Sequence, residues 1–198
     1  MANQRQESRP PSTLEQTQVP ELRRQLRGPA LLPAEPGYDV ARTVWNAMID
    51  RYPGIIVQAH APSDIMAGVD FARYHDLEIA VRGGGHNVAG NAVCEGGLML
   101  DLSAMKSVRV DPAARTAHVE PGALLQDLDR ETQAHGLATP TGFISETGVS
   151  GLTLGGGFGY LSRKWGLTVD NLRAVDMVTA EGKWVRANEA QNPDLFWG

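Results

Sequence analysis

Val81-Arg82-Gly83-Gly84-Gly85-His86-Asn87-Val88-Ala89-Gly90 sets a triple glycine and a histidine directly after residues 77–81, an apolar run that reads as a strand. Three consecutive glycines strip side chains from a tight loop, so that backbone N–H groups can close on an anionic group. His86 then stands beside whatever is bound. A flexible turn is the plainer reading of the same residues. The distribution of glycine argues for the first. Of 22 glycines, six lie from Gly83 to Gly97 and eight from Gly142 to Gly166, which marks two places of close backbone approach.

Outward from the loop, residues 55–58 read as a short strand. Pro62-Ser63-Asp64 starts a helix with apolar positions Ile65, Val69 and Ala72. With the strand at 77–81 this makes a β-α-β unit and implies parallel pairing. Upstream, residues 1–18 are polar and predicted to be disordered, 20–27 form a short helix, and 38–52 show helical spacing at Val40, Val44, Ala47, Met48 and Ile49. Downstream come a strand at 98–102, a hairpin of 107–110 with 116–120, and a helix from 124 to 135 that stops at Gly136. A second hairpin, 172–180 with 183–187, turns at Glu181-Gly182, and residues 192–198 begin a helix whose aromatic side chains should pack inward. The order implies an α+β fold of two lobes, about 37–105 and 106–198, behind an N-terminal extension, 1–36.

Composition narrows the function. A net charge of −5, with no basic run longer than Arg23-Arg24, argues against nucleic acid or an anionic membrane as partner. The single cysteine, Cys94, forms no intrachain disulfide and reads as a small buried hydrophobe. No secretory leader or bilayer-spanning run is recognised, so the expected location is cytoplasmic. His60, His75, His118 and His135 lack metal-ligand spacing, so no metal is expected. Glu146 reads as a surface carboxylate, Trp165 and Trp184 as packing residues. Neither glycine cluster fits Gly-x-Gly-x-x-Gly, since Val88 and Tyr160 occupy the sixth positions, and no Gly-Lys-Ser or Gly-Lys-Thr occurs.

Arg82-Gly83-Gly84-Gly85-His86-Asn87-Val88-Ala89-Gly90 resembles the pyrophosphate loop of FAD-linked oxidases related to vanillyl-alcohol oxidase and p-cresol methylhydroxylase, closest to the berberine-bridge-enzyme-like branch. Thr147-Gly148-Val149-Ser150-Gly151-Leu152-Thr153-Leu154-Gly155-Gly156-Gly157-Phe158-Gly159 resembles the second flavin-contacting segment of that family. Residues 162–172 match the stretch that follows it, and Asp194-Leu195-Phe196-Trp197 a later one. The resemblance runs from about Pro36 to the end of the chain.

It implies a PCMH-type FAD-binding domain with the flavin between its two lobes. Arg82, the first residue of the matching loop, is counted among the cofactor-binding residues. Backbone amides of Gly83, Gly84, Gly85, His86 and Asn87 would wrap the FAD pyrophosphate, with Gly90 permitting the turn. His86 matches the residue that bonds covalently to the flavin, which would raise its potential and prevent its loss. Ile144 stands where many relatives place a second, cysteinyl link, so a doubly linked flavin is not expected. Thr147, Gly148, Gly151, Gly157 and Gly159 would line the ring and ribityl chain, and the match also points to Asn171 and Val178.

The implied reaction is hydride transfer from an alcohol, sugar or similar C–H substrate to flavin. Family members continue into a substrate domain that supplies the general base. The chain stops short of it, so it is expected to be a truncated member, incomplete as a catalyst, whose catalytic residues the sequence does not name. The missing-domain face offers a surface for self-association. A non-catalytic flavin-binding module, or a remnant that no longer holds FAD, are the alternatives.

Overall fold

The computed structural model describes residues 19–198, and the segment expected to be disordered, 1–18, lies outside them. Four short strands build the central sheet: β1 (Ala30–Leu31), β2 (Ile55–Gln58), β3 (Ile79–Arg82) and β4 (Leu98–Asp101). Their spatial order is β1-β2-β4-β3, with β1 antiparallel to β2 and both β2 and β3 parallel to β4. The parallel pairing expected of β2 and β3 is thus real but indirect, because β4 inserts between the two strands. That insertion is invisible to local pattern. Ile55, Val57, Leu98 and Leu100 face one core, and Ile56 and Met99 the other, so the sheet is buried on both faces.

A short helix, α1 (Val19–Gln25), precedes β1, and both belong to this sheet unit. Val19, Leu22 and Ala30 lie in its larger core. The segment before residue 37 thus packs on this sheet through those side chains. After β1 comes α2 (Tyr38–Ala41), and the long helix α3 (Pro62–Tyr74) runs between β2 and β3. Asp64, fully buried in the first turn of α3, accepts backbone N–H groups of Arg27 (3.0 Å), Gly28 (3.2 Å) and His60 (2.8 Å). Burial alone would raise its carboxyl; those three donors outweigh it and hold it below the usual range.

The helix expected over 38–52 ends at Ala41. Its periodicity would have pointed Val40 and Met48 inward, yet they are 78% and 90% exposed. Residues 42–54 form an irregular strap instead. Arg42 ties it to Asp39 (2.9 Å) and Asp50 (2.5 Å), and Asn46 donates to the Val88 carbonyl at 2.8 Å. Tertiary contacts to the first glycine loop have overridden local propensity.

The second unit starts with the hairpin β5 (Val108–Asp111) and β6 (Thr116–Val119), followed by α4 (Leu125–Gln133), as the sequence suggested. Within the second glycine cluster lies α5 (Val149–Leu154), and α6 (Ser162–Trp165) follows; neither was expected. Ala123, Leu125, Leu128 and Val149 make the core of this unit. The last hairpin, β7 (Val175–Val178) with β8 (Trp184–Ala187), returns to the first unit: Val178 packs against the sheet core, and Arg73 on α3 donates to the Glu181 carbonyl at 3.2 Å. This hairpin, although it follows residue 106 in the chain, thus packs on the sheet that residues before 105 build. The final helix, α7 (Pro193–Trp197), forms, but Phe196 and Trp197 meet each other edge to face and Trp197 is 71% exposed rather than packed inward.

Candidate functional site

The first glycine loop leaves the carboxyl end of β3, where open parallel sheets present their ligand crevices. Its root is a cross-strand pair: Arg82 and Asp101 are partners on β3 and β4. Arg82 meets the Asp101 carboxylate twice, at 3.0 and 2.5 Å, and a third N–H reaches the Thr43 carbonyl at 2.8 Å. Burial pushes the Asp101 carboxyl up, but the Arg82 hydrogen bonds and charge, with Ser103, win and hold it below the usual carboxylate range. The pair fixes where the loop begins.

What the loop meets is the second glycine cluster. A Cβ on Gly84 would lie 2.5 Å from both the Cα and the N of Gly148, and one on Gly148 would lie 2.6 Å from the N of Gly84. Two main chains cross here with room for no side chain. The second cluster is held in place by an isolated bridge between Leu124 and Gly148, and by Val149 N–H to the Ala123 carbonyl at 2.9 Å. Gly83 is as tightly confined, 2.6 Å from Ser150 Oγ on the same test, and Ser150 donates to the Pro121 carbonyl at 2.8 Å.

Beside this crossing lies a cavity of about 270 Å³ lined by Arg82, Gly83, Gly84, Gly85, Ser103 and Lys106, with the strap residues Thr43 to Trp45, Gly122 and Leu124 completing its wall. None of the backbone N–H groups of Gly83, Gly84 and Gly85 donates to another group among the described residues. Trp45 donates its own N–H to the Gly85 carbonyl at 3.0 Å and stacks on His86, ring centres 4.4 Å apart and 20° from parallel. His86 Nε2 is buried and unpartnered. Unpaired loop N–H groups beside a cavity and an orphaned imidazole nitrogen together fit an anionic, ring-bearing ligand.

Comparison with known proteins agrees. The FAD binding domain family matches residues 53–188. The chain belongs to this FAD binding domain family. It is 37% identical to the FAD-linked oxidoreductase pgmH of Aspergillus terreus over 94% of its own length and 38% of that protein's. Among solved structures, 6-hydroxy-D-nicotine oxidase from Arthrobacter nicotinovorans superposes with a TM-score of 0.85 at 35% identity, covering 87% of this chain and 38% of that one. The berberine-bridge-enzyme-like protein 1 of Physcomitrella patens gives 0.85 at 30%, covering 90% and 39%. The chain thus spans well under half the length of the relatives it matches. The α+β architecture is that of the PCMH-type FAD-binding domain.

For a member of this family, the residues named from sequence sort into four groups. Arg82, Gly83, Gly84, Gly85, His86 and Gly148 come together at the crossing and its cavity. Gly151 lies on an open face of α5, where an added methyl would meet nothing within 4 Å, leaving room for a ligand there. Thr147 is bound into the same segment, its carbonyl accepting the Leu125 N–H at 2.9 Å. Asn87 and Gly90 shape the loop's exit: Asn87 Oδ1 accepts the Asn91 N–H, and Gly90, at φ +79°, faces Ile49 of the strap.

Four positions are accounted for by the protein's own packing. Gly157 (φ +69°) is crowded by Thr168 and Leu152, and Gly159 by the Thr141 carbonyl. Asn171 spends its amide on the Trp165 and Leu167 carbonyls at 2.9 and 2.8 Å. Val178 serves the sheet core. The expected packing role of Trp165 and Trp184 is corrected as well, for they are 55% and 47% exposed. Cys94 is buried, which pushes its thiol up to about 11.

Sequence reasoning missed the strap wall and the residues after β4, Ser103 and Lys106. Nothing in local pattern joins positions 43–45 to 83–86. Among the described residues no group of three or more His, Cys, Asp or Glu could hold a metal, and no helix is long and apolar enough to cross a membrane.

Proposed function

We propose that this chain is the FAD-holding part of an oxidoreductase acting on an alcohol, sugar or similar C–H donor, with the cofactor seated where the two glycine segments cross. The observation that carries the reading is the close backbone approach of Gly84 to Gly148, which brings the two family motifs together beside a cavity that the first of them lines. When bound, FAD supplies hydride acceptance, chemistry that no side chain can perform. Gly83, Gly84 and Gly85 would donate their free N–H groups to its pyrophosphate, Gly151 would leave room for its ribityl and ring portions beside Gly148, and the Arg82–Asp101 pair would keep the loop from shifting. Trp45 holds the His86 ring against one face, which supports His86 as the covalent anchor.

The cavity holds rather than reacts. Its two ionisable wall residues, Arg82 and Lys106, are both cations, suited to anions and not to proton abstraction. That same wall favours a second reading, a flavin-binding module without turnover of its own.

The test is the intact mass of the acid-denatured chain with its visible absorbance. One FAD of added mass, yellow after denaturation and lost in His86→Ala, is the expected result. An unmodified, colourless chain would remove the covalent anchor, and absence of peroxide or acceptor reduction on an alcohol and sugar panel would select the module.

A further inference from the structure

We propose that Lys106 is the charge clamp for the diphosphate of the bound dinucleotide, an assignment that rests on the FAD reading above. Two cations line the cavity and no carboxylate does. Arg82 is not free to act as the clamp: its guanidinium is only 12% exposed, is spent on Asp101 and Thr43, and its charge is cancelled by a carboxylate buried to 1%. Lys106 is exposed and has no hydrogen-bond or ion-pair partner among the described residues. It contributes the cavity's one uncompensated charge.

The backbone on both sides of Lys106 is anchored, so that charge leaves from a fixed point. Met105 is buried in the sheet core, donates to the Leu102 carbonyl at 2.9 Å and accepts the Gly122 N–H at 2.8 Å. Ser107 donates its N–H to the Glu120 carboxylate at 2.8 Å. Gly122 cannot be larger, since a Cβ there would run into the Leu102 carbonyl. The turn after β4 is thereby pressed against the turn after β6, with Ser103 and Lys106 on the cavity side.

Electrostatics gives this residue a task the glycine loop cannot perform. Free backbone N–H groups offer partial charges to an anion but no formal charge. A diphosphate brings two negative charges to a chain whose own net charge is −5. One unpaired ammonium at the cavity wall offsets part of that repulsion and gives a charge-assisted hydrogen bond.

The experiment is a titration of FAD, ADP and riboflavin into the His86→Ala chain, in which covalent attachment cannot mask reversible affinity, with and without Lys106→Ala or Lys106→Arg. Thermal midpoints without ligand establish that each variant folds. Lys106→Ala is expected to weaken FAD and ADP about tenfold at low salt, with a shallower salt dependence than its parent. Riboflavin, which has no phosphate, should bind both equally, and Lys106→Arg should recover most of the loss. Unchanged FAD affinity in folded Lys106→Ala overturns the clamp, and so does an equal loss for riboflavin. A parent that binds ADP through Lys106 but not FAD would refute the flavin reading while keeping the anion site.

Discussion

The two glycine-rich regions use the same residue for different reasons. In the first, residues 83–85 form a bare loop whose N–H groups are free and whose nearest neighbours are the main chain at Gly148 and the Ser150 and Pro121 oxygens. In the second, most glycines answer to the protein itself: Gly142 to Leu152 and Leu125, Gly157 to Thr168, Gly159 to Thr141. Only Gly148 touches the first loop, and only Gly151 stands open on the helix between them. Glycine density marks close approach, but the partner differs. One cluster leaves its backbone N–H groups unpartnered among the described residues, and the other chiefly makes room for its own turns.

Breaking the crossing should have the largest effect. Gly84→Ala places a methyl 2.5 Å from two Gly148 backbone atoms, neither of which can yield without moving the segment fixed to α4. The expected result is a loss of roughly 4 kcal/mol of stability, read by urea unfolding, or failure to fold. Loosening only the first region should cost less. Asp101→Asn leaves the buried Arg82 charge unbalanced and should destabilise by about 3 kcal/mol near neutral pH. Because the Asp101 carboxyl sits below its unfolded value, near 4, its contribution is present above that pH and fades as pH falls below it. The acid limb of a stability profile should therefore be flatter in Asp101→Asn than in the parent below about pH 4.

Much of this was legible in sequence wherever one local cue sufficed. The hairpins announce themselves through Asp111–Arg115 and Glu181-Gly182, and α3 through Pro62 and its apolar stripe. The loop at 83–85 was legible because no fold element needs three glycines running. What could not be read depends on distant partners. The strap at 42–54 carries a helical pattern that its contacts with Gly85, Val88 and Gly90 defeat. The place of β4 between β2 and β3 is a choice among sheet orders that strand pattern does not encode. Gly157, Gly159 and Asn171 matched a motif, and the protein neighbours they also meet, Thr168, Thr141 and the Trp165 carbonyl, are not written in that motif.

The most direct test of the shared site is the thermal midpoint of the His86→Ala chain as FAD is added, alongside the same chain carrying Gly151→Ala. A methyl at Gly151 meets nothing within 4 Å, so the midpoint without FAD should be unchanged or slightly higher. With FAD at about a hundred times its Kd, the parent should gain about 2.7 kcal/mol, a rise of roughly 5–10 °C for a chain of this size. Gly151→Ala should lose most of that rise. A parent midpoint indifferent to saturating FAD would contradict a flavin site at the glycine crossing.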